Sequence, residues 1–171
     1  PMIKEIFFQK NVKECYTMTN PHKPYFPMFV DLTEKRIVVV GAGTIAKRRI
    51  RSLLEFTNNL TVIAPEVNRE LLMLQEKGLL SITKKKYDHT DIQKADIVIA
   101  ATNDAQLNSD IYRVCKAEGI MVNVCSDKSK CDFYFPGIAR KDNVVVGVTA
   151  SGSDHKKARS VIERIRQLLE C

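Results

Sequence analysis

Residues Gly41-Ala42-Gly43-Thr44-Ile45-Ala46 form a G-x-G-x-x-A series. Each small residue has its own task if the chain is to grip a dinucleotide. Gly41 permits a tight turn after a strand, Gly43 lets the backbone approach a pyrophosphate, and Ala46 lets helix and strand pack closely. The unpaired N–H groups around Thr44 and Ile45 at the helix start then face the phosphates. A carboxylate for the adenosine ribose is expected about 20 residues further on, and Pro65-Glu66 places one 20 residues beyond Ala46. Glu66 reads equally well as a solvated residue opening a helix. In the ribose role it repels a 2′-phosphate and so favours NAD over NADP. In "AATND", Thr102 and Asn103 are candidates for ribose or nicotinamide contact, and Asn103 or Asp104 for capping the next helix. In "NVCSDKSKCDFYFP", Ser126, Asp127 and Asp132 could handle protons, and Tyr134 could meet a flat ring. The histidines His22, His89 and His155 fall in unrelated segments, and Cys125 and Cys131 are spaced C-x5-C, so no metal site is read from the chain.

These residues need elements to carry them. "IVVV" at 37–40 is a continuous β-branched run, as found in a strand buried on both faces of a parallel sheet. Residues 44–55 then place Ile45, Arg49, Ile50, Leu53 and Leu54 at helical spacing. Further strands are expected at 60–64, 80–85, 95–102 and 120–125, with helices over 67–78 and 104–119 closed by Gly78 and Gly119. Strands alternating with helices in this way predict an α/β fold, a Rossmann-like doubly wound parallel sheet. The alternation stops after Cys125. Two strand-like pieces flank "RKDN" with no helix between them, which predicts an antiparallel hairpin, followed by a last amphipathic helix over 155–169. The division expected is an arm or linker over 1–24, a dinucleotide-binding domain over 25–130, and a hairpin-and-helix dimerisation unit over 131–171. The stripe Ala158, Ile162, Ile165 and Leu169 would seek a partner copy.

Composition narrows the partners. The chain has 44% hydrophobic and 27% charged residues, and no apolar run of membrane-spanning length. No signal peptide is read at the N-terminus, and five cysteines without paired spacing read as reduced thiols, so a cytoplasmic address is expected. A net charge of +7 favours an anionic partner. The cations are scattered without an aromatic-rich or helix-turn-helix motif, which argues against nucleic acid.

Taken in order, "YFPMFVDLTEKRIVVVGAGTIAKRRIRSLLEF", "VIAPE", "IVIAATND", "VNVCSDKSKCDFYFP" and "VTASG" resemble the precorrin-2 dehydrogenase family, which includes the N-terminal module of siroheme synthase. The resemblance runs from about Tyr25 to the C-terminus. It implies NAD-dependent oxidation of precorrin-2, a polycarboxylate tetrapyrrole, to sirohydrochlorin, and in some members insertion of Fe2+ into the product. It implies a homodimer with hairpin and C-terminal helix exchanged between subunits. Asn123, Tyr134, Ser151 and Gly152 fall where the substrate is expected. Family members continue for several helices beyond the one ending here at Cys171, so that helical cap is expected to be missing. The competing reading is a non-catalytic NAD- or tetrapyrrole-sensing protein.

The family carries an Asp three residues after the asparagine of "NV", a position that counts to Ser126 in this chain. Chemistry favours Asp127, because a carboxylate ionised at neutral pH accepts a proton where an unassisted hydroxyl does not. Asp127 is therefore expected to be the proton acceptor, with Ser126 as its rival. A third possibility is that neither acts and the proton passes to solvent.

Overall fold

A computed structural model describes residues 25–170. The arm expected over 1–24 lies outside the described residues. The chain divides into two compact units, Phe29–Phe135 and residues 25–28 with 136–170.

In the first unit, β1 (Ile37–Val40), α1 (Thr44–Leu53), β2 (Leu60–Ile63), α2 (Arg69–Glu76), β3 (Ser81–Thr83), β4 (Ile97–Ala100), α3 (Ala105–Glu118) and β5 (Met121–Val124) follow one another. The strands form one parallel sheet in the order β3-β2-β1-β4-β5. β1 lies at the centre because Ile37, Val38, Val39 and Val40 tolerate burial on both faces, and none is more than 2% exposed. Ile37 and Val39 pack with Ala46, Ile50 and Leu71 from α1 and α2. Val38 and Val40 pack with Ile111 and Cys115 from α3. Each such fully buried side chain stabilises the fold by roughly 1.5–3 kcal/mol.

The strands stand in register, with Val40 opposite both Ile63 and Ala100, and Ala100 opposite Val124. At the opposite edge Asp96 accepts hydrogen bonds from the Arg36 N–H at 2.9 Å and from Lys35 Nζ at 3.0 Å. Asp104 caps α3 through the N–H groups of Gln106 and Leu107, and Gly119 ends it in the left-handed region. A 3-10 turn over His89–Ile92, closed by a reciprocal Asp88–Asp91 capping box, was not expected from the sequence.

Residues 131–135, expected with the hairpin, stay with the sheet. Cys131 bridges to Asn123, the Asp132 N–H donates to the Val122 carbonyl at 2.8 Å, and the Asp132 carboxylate accepts from the Val122 N–H at 3.0 Å. An ion pair with Lys116 at 2.8 Å also holds that carboxylate, so Asp132 is a structural residue. The division therefore falls after Phe135.

The second unit contains the antiparallel hairpin of β6 (Gly137–Lys141) and β7 (Val144–Val148), and α4 (His155–Glu170). α4 packs on the hairpin through Ile162, which is 3% exposed. A Cβ at Gly137 would stand 3.2 Å from Ile162 Cγ2, so the strand carries glycine where the helix comes close. On the stripe Ala158, Ile162, Ile165 and Leu169, the hairpin of the same chain covers Ile162. The other three are half-buried, and the large apolar side chains of the hairpin and α4 left outside are Val144, Val161 and Leu168.

Candidate functional site

The carboxyl ends of the parallel strands gather most of the candidate residues. Gly41, directly after β1, has φ +110° and donates its N–H to the Ile63 carbonyl at 2.8 Å. A Cβ there would lie 2.4 Å from the Ala101 carbonyl oxygen, so the backbones of the β1 and β4 ends meet in a space that admits only glycine.

Gly43 is the opposite case. It precedes α1 with extended backbone, and a Cβ there would meet nothing within 4 Å. No side chain caps α1 and its first turn holds no acidic residue. Gly43, Thr44 and Ile45 are exposed. The helix thus presents its positive end and unsatisfied N–H donors to an open space, which fits a pyrophosphate in charge and in shape.

Pro65 and Glu66 are exposed just beyond β2. Between them and the glycine turn runs a link that the sequence reading missed. Asn68 caps α2 by accepting from the Leu71 N–H at 3.2 Å, and its Nδ2 donates to the Ala42 carbonyl at 3.2 Å.

Beyond β4 and β5 the organising residue is Asn108, also missed, on α3 and 1% exposed. Its Oδ1 accepts from the Thr102 N–H at 3.2 Å and the Thr102 hydroxyl at 2.8 Å. Its Nδ2 donates to the Thr102 carbonyl at 3.1 Å and to Ser126 Oγ at 3.2 Å. The amide's full donor and acceptor capacity is thereby used. Thr102, expected to contact the cofactor, instead directs its hydroxyl into this network and accepts from the Asp104 N–H at 3.2 Å. Asn103 remains exposed at the edge.

Ser126 is exposed, and because its oxygen accepts from Asn108 its own proton is available outward. Asp127 is engaged locally. One carboxylate oxygen accepts from the Ser129 N–H at 3.0 Å and hydroxyl at 2.6 Å, and the other pairs with Lys130 at 3.2 Å. The Ser129 hydroxyl, then its N–H, then Lys130 hold the Asp127 carboxyl below the usual carboxylate range. A carboxylate stabilised in this way is a weaker base than the chemistry argument assumed.

Asn123 departs from the expected substrate contact. It is 4% exposed, and its Nδ2 donates to the Phe133 carbonyl at 2.8 Å, tying β5 to the returning loop. Tyr134 is exposed and its hydroxyl donates to the Lys128 carbonyl at 3.3 Å. Ser151 and Gly152 belong to the second unit. There Ser151 has φ +52° and its Oγ accepts from the Tyr25 N–H at 3.1 Å, while Gly152 has φ +73°.

A parallel five-stranded sheet whose central strand feeds a glycine turn and an uncapped helix defines a dinucleotide-binding protein of the Rossmann type. The family model described as "Putative NAD(P)-binding" matches residues 28–137. The chain belongs to that family. It is 38% identical over 144 residues to the "Probable multifunctional siroheme biosynthesis protein HemA" of Ruminiclostridium josui, covering 84% of this chain and 28% of that protein. It is 34% identical over 145 residues to the siroheme synthase of Mannheimia succiniciproducens, covering 85% and 30% respectively. The chain thus spans under a third of the length of these curated relatives. Among solved structures, "SirC, precorrin-2 dehydrogenase" matches with a TM-score of 0.68 and 25% identity over 84% of this chain and 71% of that one. No helix among the described residues is long and apolar enough to cross a membrane.

Proposed function

We propose that the chain oxidises precorrin-2 to sirohydrochlorin with NAD in siroheme biosynthesis. The observation that carries this reading is the open, uncapped start of α1 on the same sheet edge as Ser126, in a fold shared with a precorrin-2 dehydrogenase. Bound NAD would supply the hydride acceptor. The backbone at Gly43, Thr44 and Ile45 holds its pyrophosphate, Glu66 with Pro65 the adenosine ribose, and Asn103 the edge toward the nicotinamide. Anaerobic precorrin-2 with NAD should yield NADH absorbance in step with sirohydrochlorin, and a protein that neither turns over nor binds the tetrapyrrole refutes the proposal. The setting proposed is the cytoplasm, where the free thiols Cys115, Cys125 and Cys131 remain reduced.

The Glu66 carboxylate opposes a ribose 2′-phosphate, so NAD should bind at least ~10-fold more tightly than NADP, a difference of about 1.4 kcal/mol. Calorimetry on Glu66→Ala should show the gap closing from the NADP side. Equal affinities in the unmodified protein would remove Glu66 from the ribose site.

Between the two candidates at the β5 edge, the geometry favours Ser126 as the residue that touches the substrate. Its hydroxyl donates a hydrogen bond to the macrocycle, and the proton released on oxidation passes to solvent. Ser126→Ala should lower kcat/KM about tenfold, the worth of one hydrogen bond of ~1–1.5 kcal/mol. Asp127→Asn should change it less than about threefold, whereas loss of a general base costs ~10²–10⁴-fold. A loss of that size in Asp127→Asn would return the proton-accepting role to the carboxylate. Because its pKa is depressed in the fold, Asp127 stabilises the loop above the ordinary aspartate pKa of ~3.9, and that support is lost as pH falls through the folded value.

The partner proposed for the second unit is another copy of the chain. Val144, Val161 and Leu168 are 53%, 38% and 75% exposed, and these uncovered side chains support a homodimer through the hairpin and α4. Sedimentation should give a dimer at micromolar concentration and a monomer for Val161→Glu/Leu168→Glu. A monomer before substitution would refute it.

A further inference from the structure

Arg49 is a cation placed where the fold has no evident use for one. It follows Ala46 by one helical turn and precedes Ile50, both fully buried, so it leaves the flank of the core stripe of α1 rather than its solvent face. Its guanidinium carbon lies 4.2 Å from the centroid of the Phe135 ring, and its Nε is buried with no hydrogen-bond partner. The Cys125 sulfur lies beside it, at the carboxyl end of β5.

Charge balance separates Arg49 from its neighbours on the same helix. Lys47 and Arg51 share Glu70, at 3.5 and 2.5 Å. Among the described residues no carboxylate forms an ion pair with Arg49. The adjacent thiols do not supply a counter-charge either. Burial pushes both Cys125 and Cys131 upward, so they stay protonated at neutral pH. A half-buried cation facing an aromatic ring and neutral thiols is partly compensated by the ring's electron density, and no full counter-charge meets the rest of its desolvation cost in the free protein. Burial correspondingly pulls the guanidinium below its usual value, though an arginine stays charged.

We propose that Arg49 is the counter-ion for a carboxylate of the substrate bound beyond β5, and so helps select an anionic tetrapyrrole. This rests on the functional reading above and deepens it. The cofactor's phosphates are the other anion within the site, but their seat is the start of α1 at Gly43, next to β1 and β2. Arg49 is flanked by Cys125 and Phe135, which belong to the β5 side. The guanidinium is a planar fork, which suits a two-pronged bond to a carboxylate.

The test compares the unmodified protein with Arg49→Met and Arg49→Lys. In Arg49→Met, KM for precorrin-2 should rise at least ~30-fold, as for loss of one partner of a desolvated charge pair. NAD affinity should be unchanged and the melting temperature no lower, since an uncompensated charge has been removed. Titration with uroporphyrin, a tetrapyrrole polycarboxylate, should show the same loss of affinity. Arg49→Lys keeps the charge without the fork, so it should bind more weakly than the unmodified protein and more tightly than Arg49→Met; if Arg49→Met does not fold, the lysine variant's weakened binding alone decides. Unchanged KM and uroporphyrin binding overturn the proposal, as does a loss confined to NAD affinity, which would assign Arg49 to the cofactor. Turnover indifferent to Arg49 leaves the dehydrogenase reading intact, whereas an unmodified protein that neither binds nor oxidises the tetrapyrrole removes both.

Discussion

Gly43→Val should leave a folded protein that no longer binds NAD, whereas Gly41→Val should fail at the fold itself. The two glycines are separated by one residue and differ in what surrounds them. At Gly43 the backbone is extended and the side chain would enter empty space. The stability cost should be no more than ~1 kcal/mol, the scale of a changed helix cap. The space filled is the space proposed for the pyrophosphate, so affinity should drop ~100-fold or more, about 2.7 kcal/mol. At Gly41 the added Cβ meets the Ala101 carbonyl oxygen at 2.4 Å and carbon at 2.7 Å, in a backbone with φ +110°. Both opposing atoms are main chain and cannot swing aside. Left-handed strain alone costs ~1–3 kcal/mol, and the clash brings the loss above ~4 kcal/mol, a large part of the ~5–15 kcal/mol that holds a typical domain together. Calorimetry with NAD and urea denaturation separate the two outcomes. A Gly43→Val protein with unaltered NAD affinity would remove the pyrophosphate from the start of α1.

Asn108→Ala should destabilise the protein by roughly 2–4 kcal/mol, since each buried polar group deprived of its partner costs about 1–3 kcal/mol. The groups at risk are the Thr102 N–H, hydroxyl and carbonyl, and Ser126 Oγ. Asn108→Asp keeps the shape but withdraws both donors, leaving the Thr102 carbonyl unserved and adding a buried charge, so it should be no milder. Urea midpoints measure the loss. A second readout distinguishes a site role from packing alone: the residual folded protein should show raised KM for precorrin-2, because Ser126 is no longer held. Stability within ~0.5 kcal/mol of the unmodified protein, the range of ordinary surface substitutions, would show that water replaces the amide.

What could be read from the sequence was whatever repeats or breaks a period. "IVVV" announced β1, the G-x-G spacing announced the turn, and the Asp104 and Gly119 boundaries of α3 followed from cap chemistry. Residues whose importance lies in a distant partner left no such trace. Asn108 occupies the buried stripe with Ile111 and Cys115, where an asparagine in one dimension looks like surface. Asn68 was read inside the helix over 67–78, neither as its cap nor as the link to Ala42, and Arg49 looked like one more base in "KRR". The stripe on α4 was legible as apolar, but not that the hairpin of the same chain covers Ile162, since amphipathicity states that a face is covered without naming what covers it.

Because β1, β2, β4 and β5 finish level with one another, the count of residues past a strand's end works as an address on the sheet rim. Thr102 stands second after β4 and Ser126 second after β5. The two hydroxyl residues are therefore homologous in position, and one amide can clasp both only because they share an address. Asp127 is third, one step out of that row, where its carboxylate turns back onto Ser129. The same reckoning makes each strand intolerant of a length change: deleting one residue from β5 would renumber the whole rim segment and exchange its faces. A substitution at one address leaves the others in place, and a length change in a loop on the far, amino-terminal rim does not move this row.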